Sequence, residues 1–202
     1  MPLIEILAFN GVIGSGKTFQ TEIFKEQGYI NINFADELKE MVWKLIGWKP
    51  KNEEEYTQFK NTHFINELAN LTILNKSIDS HIKFTGRDIL ERYGQQIRNH
   101  NPDFFCDILK NKLVKLNWQD KRIDYKVVIS DVRYINEAAM LLYEFNTKLL
   151  FCNFKSNRYD SDNNHESQLM SKYFIEQKFK NFQQITYDDI VKYEKIMETG
   201  KL

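Results

Sequence analysis

The chain has 202 residues, 42% of them hydrophobic and 14% aromatic, which suits one domain with a filled core and excludes a disordered chain. Its 28 Lys plus Arg balance 28 Asp plus Glu, so nothing global favours a nucleic-acid polymer or an anionic membrane as partner. Cys106 and Cys152 match neither a metal cluster nor a disulfide framework, and no apolar run approaches the roughly 20 residues of a membrane helix, so the chain is read as a cytoplasmic protein.

Leu3 to Phe9 is a short apolar run before glycines and predicts a buried strand; it lacks the basic flank of a signal peptide. Lys17 to Gln27 predicts a helix stopped by Gly28, and Tyr29 to Phe34 alternates like a second strand. Asp36 to Ile46 is helical by the spacing of Leu38, Met41, Val42 and Leu45. Trp48 to Phe84 predicts a loop and one helix, with Phe64, Leu68 and Leu71 at helical spacing. A helix is expected over Arg87 to Arg98, and another after Asn101, with Pro102 at its first position. Then follow a strand at Lys126 to Ser130, a helix at Asn136 to Phe145, and a strand at Lys148 to Phe154. A polar loop, a helix at Ser167 to Phe179, a last strand at Gln184 to Tyr187 and a helix at Asp188 to Glu198 complete the chain. Strands alternating with helices imply an α/β fold with a parallel, helix-covered sheet.

Gly11-Val12-Ile13-Gly14-Ser15-Gly16-Lys17-Thr18 satisfies the phosphate-loop pattern in full, between a strand and a helix. Glycines let backbone N–H groups turn toward phosphate oxygens, and the helix that follows adds its positive end. Lys17 is expected on the β- and γ-phosphates of ATP, and Thr18 on a magnesium ion. Asp131 closes an apolar strand and is the second expected magnesium contact, since strand C-termini face the ligand crevice in open α/β sheets.

A GTPase would read guanine through Asn-Lys-x-Asp, but in Asn75-Lys76 the acid, Asp79, comes one residue too late. The Ser-Gly-Gly signature of ABC-type ATPases is absent. Small-molecule kinases remain, and they work by positioning phosphates and neutralising charge with arginines and magnesium. Arg133 sits two residues past Asp131, Arg87 and Arg98 bracket one helix, and Arg158 lies in the polar loop after Phe154. Arg87 and Arg98 stand about 16 Å apart along a straight helix. Either that helix breaks near Gly94 or the two serve different phosphates; the second is favoured, with Arg87 on the acceptor and Arg98 nearer the transfer point.

These residues resemble the bacteriophage deoxynucleoside monophosphate kinases from the phosphate loop to about residue 170. Phe34-Ala35-Asp36-Glu37-Leu38-Lys39 is similar to the stretch after that family's second strand. Arg87-Asp88-Ile89-Leu90 through Gly94 to Arg98 resembles its arginine helix, and Asp131-Val132-Arg133-Tyr134 with Asn136-Glu137 its Asp-x-Arg-Phe-x-Asn-Glu. His165-Glu166-Ser167-Gln168 is similar to its His-x-Ser-Glu, and Asn101 to Phe105 to the opening of its next helix. Glu91, Gln95 and Gln168 depart from it, standing for Gln, Thr and Glu. The run from Arg92 to Cys106 also resembles animal-type phosphomevalonate kinases.

The resemblance implies a single three-layer phosphate-loop domain. Its core is about 1–47 and 123–202, with an acceptor-binding helical region about 48–122 and a lid about 155–167. The implied activity is phosphoryl transfer from ATP to a deoxynucleoside monophosphate. Gly11, Gly14, Ser15, Gly16, Lys17 and Thr18 would bind ATP. Lys17, Arg98, Arg133, Arg158 and Asp131 would act at the transfer, with Thr18 and Asp131 on Mg2+. Asp36, Lys39, Arg87, Arg98, Arg133, Glu137 and His165 would hold the acceptor. No nucleic-acid polymer or membrane is expected as partner, a homodimer is left open, and a phage-encoded chain would work in the host cytoplasm. Phosphomevalonate as acceptor, and a nucleotide-binding role in DNA modification or regulation, stay open as alternatives.

Overall fold

A computed structural model describes residues 5–64, 84–119, 125–154 and 166–199. In chain order the elements are β1 (Glu5–Asn10), α1 (Lys17–Glu26), β2 (Ile30–Asn31), α2 (Ala35–Ile46), α3 (Glu53–Asn61), β3 (His63–Phe64) and β4 (Phe84–Thr85). They continue with α4 (Gly86–His100), α5 (Phe104–Gln119), β5 (Lys126–Val132), α6 (Ile135–Phe145) and β6 (Lys148–Phe151). A 3-10 turn (Glu166–Gln168) leads into α7 (Leu169–Glu176), and α8 (Tyr187–Thr199) ends the fold. The chain divides into two compact units, residues 1–34 with 106–202, and residues 35–105. Among the described residues no helix is long and apolar enough to cross a membrane.

The first unit carries a four-stranded parallel sheet in the order β2-β5-β1-β6. β1 is buried along nearly its whole length, as a central strand covered on both faces must be. Its end residue, Asn10, is in register with Val132 of β5 and Phe151 of β6. Three strand ends thus meet where α1 begins. Leu7, Phe9, Val128, Leu150 and Cys152 form one buried cluster, with Phe24 and Tyr29 packed on it.

In the second unit a helix forms at α3 from the charged stretch, ahead of the apolar positions expected to make one. Asn52 Oδ1 accepts the Glu55 N–H at 2.9 Å, and three glutamates occupy the positive end of the helix. Phe64 belongs to β3, which pairs antiparallel with β4; Leu68 and Leu71 lie outside the described residues. Trp43 stacks edge-on against Trp48, Tyr56 and Phe59, the apolar centre of this unit. Thr85 and Asp88 form a capping box that starts α4 one residue before Arg87.

Three expected strands are shorter than the sequence pattern suggests. Tyr29 to Phe34 pairs only over Ile30–Asn31: Ile32 N–H still donates to Val128 O at 3.1 Å, but then side chains replace the ladder, Asn33 Oδ1 accepting from Ser130 N–H and Asp131 Oδ1 from Phe34 N–H. β6 stops at Phe151, beyond which Cys152 and Phe154 turn to the β1–α1 loop. Gln184 to Tyr187 is no strand: it makes one antiparallel bridge to Leu150, and Thr186 with Asp189 then starts α8. The helix after Asn101 begins at Phe104, two residues past Pro102, with Asn101 Oδ1 accepting the Asp103 N–H at 3.2 Å.

Candidate functional site

The loop from Gly11 to Gly16 is folded by contacts that need small residues. A Cβ on Gly11 would run into the Cys152 carbonyl oxygen, and Gly14 and Gly16 adopt φ of 79° and 90°. The chain after β6 closes one side: Cys152 N–H donates to Asn10 O at 2.7 Å, and Phe154 N–H to Ser15 O at 3.2 Å. The buried Cys152 thiol donates to Ser15 O at 3.1 Å, and burial pushes it up, so it stays a neutral packing group. On the other side, Gln168 Oε1 accepts the Ile13 N–H at 2.9 Å.

Inside this loop sits the Lys17 ammonium. It donates to Gly11 O at 2.5 Å, Val12 O at 2.7 Å and Ser15 Oγ at 3.2 Å. Lys17 as a whole is half-buried, but its charged end lies deep. Burial lowers its pKa to about 7, Arg133 pushes the same way, and Cys152 and Asp131 push back. The N-terminus of α1 has no side-chain cap and no acid in its first turn. Its positive end and the Lys17 charge therefore point into one loop without a carboxylate of that turn to balance them. Thr18 is exposed at the same helix start.

Asp131 stands on β5, next to β1 as expected. Its Oδ1 accepts the Phe34 N–H at 3.0 Å, while Asn33 Oδ1 accepts from Ser130 N–H and Oγ. Asp131 thus also anchors the segment after β2. Arg133 lies close enough for its charge to act on Lys17, and its side chain reaches Ser167 Oγ at 3.5 Å, the limit of a hydrogen bond. Glu137 is buried and takes the backbone N–H groups of Arg133 (2.8 Å) and Tyr134 (3.1 Å) on Oε2. In the structure Glu137 is a backbone cap that fixes where Arg133 starts. Arg158 and His165 lie outside the described residues.

The second unit gathers Asp36, Lys39 and Arg87 with two residues the sequence reading passed over. Lys39 Nζ stands 3.5 Å from Asp36 Oδ1 and 5.3 Å from the centre of the Tyr56 ring. Lys60 Nζ lies 4.2 Å from the same ring. Burial lowers the pKa of Lys60; Glu53 opposes this, and the nearby Arg87 and Lys39 charges add to it. Lys39 and Lys60 therefore face one ring, that of Tyr56, with Asp36 and Glu53 (3.8 Å from Lys60) as their carboxylate partners, and the Arg87 charge adds to this patch beside Lys60. No motif marks Lys60, which arrives there because α3 packs on α4.

α4 runs unbroken from Gly86 to His100, so Arg87 and Arg98 stay about 16 Å apart along its axis. A Cβ on Gly94 would crowd Leu38 Cδ2 at 2.9 Å and Arg98 Nη1 at 3.2 Å, so this glycine lets α2 approach and gives Arg98 room. The Arg98 guanidinium lies over Phe105, 4.5 Å from its ring centre. No protein-family model matches the chain, and no curated protein matches it.

Proposed function

We propose that this protein is an ATP-dependent phosphotransferase that converts a deoxynucleoside monophosphate to the diphosphate. The observation that carries the reading is the Lys17 ammonium folded among the carbonyls of a glycine-shaped loop at an uncapped helix start. Triphosphate oxygens would replace those carbonyls as partners of Lys17, and the loop N–H groups would share the remaining charge.

Thr18 and Asp131 supply a hydroxyl and a carboxylate, the hard oxygen donors that magnesium takes alongside water and substrate phosphate. When bound, the ion would neutralise charge on the β- and γ-phosphates. Lys17, Arg98, Arg133 and Arg158 would stabilise the moving phosphoryl group. The patch of Lys39, Lys60 and Arg87 would hold the acceptor phosphate, Arg87 through its bidentate fork. The acceptor phosphate is already ionised, so no strong general base is required.

A coupled ADP-release assay with each of the four deoxynucleoside monophosphates, and with phosphomevalonate, tests the reading. Rapid ADP release with one nucleotide acceptor, and slow release with ATP alone, is the expected result. Release stimulated by phosphomevalonate alone would reassign the acceptor. Release that no acceptor stimulates would leave a nucleotide-binding protein without this transferase activity.

A further inference from the structure

Gln168 ends the 3-10 turn ahead of α7 and is only 3% exposed. The two ends of its amide do different work. Oε1 accepts the Ile13 N–H at 2.9 Å, and Nε2 donates to Ser167 O and Ser167 Oγ, each at 3.3 Å. Ser167, itself buried, presents that same Oγ to Arg133 Nη1. A primary amide carries an acceptor and a donor at one reach; an ionised carboxylate only accepts, and a thioether offers a weak acceptor.

Ile13 occupies the limb of the loop between Gly11 and the left-handed Gly14. Its N–H is held by Gln168, 155 residues further along the chain. We infer that Gln168 is a positioning residue of the nucleotide site. Its acceptor end fixes the outer limb of the loop through Ile13. Its donor end sets Ser167 Oγ as an acceptor facing Arg133. The inference rests on the nucleotide-site reading above, and Gln168 itself touches no substrate in it.

Gln168→Glu and Gln168→Met separate the two ends, because the carboxylate keeps the Ile13 acceptor and loses the donor, while the thioether loses both. The first readout is amide hydrogen exchange at Ile13 in the free, full-length protein. Ile13 should exchange about tenfold faster in Gln168→Met, the fold-change for one lost hydrogen bond, and stay protected in Gln168→Glu. The second is ADP affinity by calorimetry with magnesium, which should fall about tenfold in Gln168→Met and stay within about threefold in Gln168→Glu. Both variants lose the donor to Ser167, so kcat should fall about tenfold in both, and a kcat unchanged in both overturns the Ser167–Arg133 half of the inference. If Gln168→Met does not fold, the Ile13 amide proton resonance in Gln168→Glu decides. It should move downfield as a charged acceptor replaces a neutral one, and an unmoved resonance overturns the inference. Equal Ile13 exchange in Gln168→Met and the parent also overturns it, as does an equal loss of ADP affinity in both variants. A parent that binds no ADP would defeat the nucleotide-site reading, while the exchange at Ile13 would still decide this contact.

Discussion

Gly11 and Cys152 stand so close that no side chain fits between them: a Cβ on Gly11 would overlap the carbonyl oxygen of Cys152. The clash is with backbone, on a segment held by the Cys152 N–H to Asn10 O bond, so it cannot be relieved by a rotamer change. Gly11→Ala should therefore destabilise the fold by about 2 kcal/mol, in the range of overpacked interiors. Urea unfolding should show a lower midpoint at unchanged slope. An unchanged midpoint would mean that the loop has room to shift.

The Lys17 ammonium gives a pH signature with a definite sign. Its pKa falls from 10.5 to about 7 on folding, so between those values the unfolded chain binds more protons and stability rises with pH. Below about pH 7 the burial penalty is fully present. Lys17→Met should remove this rise, which unfolding curves of both proteins across that window would show. Bound phosphate should restore the proton, so ADP binding at about pH 8.5 should take one up. Calorimetry in buffers of different ionisation heat reads that uptake, and a parent that takes up no proton would show that Lys17 keeps its charge without ligand.

Much of this site is legible in the sequence because local signals agree. An apolar run, glycines at three loop positions and an amphipathic stretch specify β1, the loop and α1 without distant information. Asp131 on the neighbouring strand is legible for the same reason, since an apolar run leading into an acid is a local pattern, although β5 runs on to Val132, past the expected end at Ser130. The shortened β2 is not, because Asn33 and Phe34 leave the ladder for bonds to Ser130 and Asp131, 97 residues on. Lys60 escapes the reading likewise, and Gln168 stands out there only as a departure from the family pattern: each acts through a partner on another element. The start of α8 was readable, since Thr186-x-x-Asp189 is a capping signature that outweighs the β-like run before it.

Glu137 should matter to stability before it matters to substrate. Removing its buried carboxylate leaves the N–H groups of Arg133 and Tyr134 without their acceptor. Glu137→Ala should cost about 2 kcal/mol, and Glu137→Gln about half of that, since one amide oxygen remains. Denaturant midpoints of the two variants check the order. Equal midpoints for both variants and the parent would show that water replaces the carboxylate at no cost.

Arg87 and Arg98 should separate in kinetics because an unbroken helix separates them in space. Lysine keeps the charge and loses the planar fork. Arg87→Lys should raise the acceptor KM by about tenfold and leave the ATP KM unchanged. Arg98→Lys should lower kcat and leave the acceptor KM within about threefold. Steady-state kinetics in each substrate would show the split, and two variants with the same profile would contradict separate roles.

If Lys17 serves a triphosphate, its loss should show first in turnover. The most direct measurement compares the parent with Lys17→Ala in the coupled ADP-release assay, with ATP, magnesium and the best nucleotide acceptor. Circular dichroism and the unfolding midpoint check that the fold survives. Turnover should drop about a hundredfold or more, because a positioned charge of this kind contributes several kcal/mol at the transition state. Turnover in Lys17→Ala within about tenfold of the parent would contradict that role.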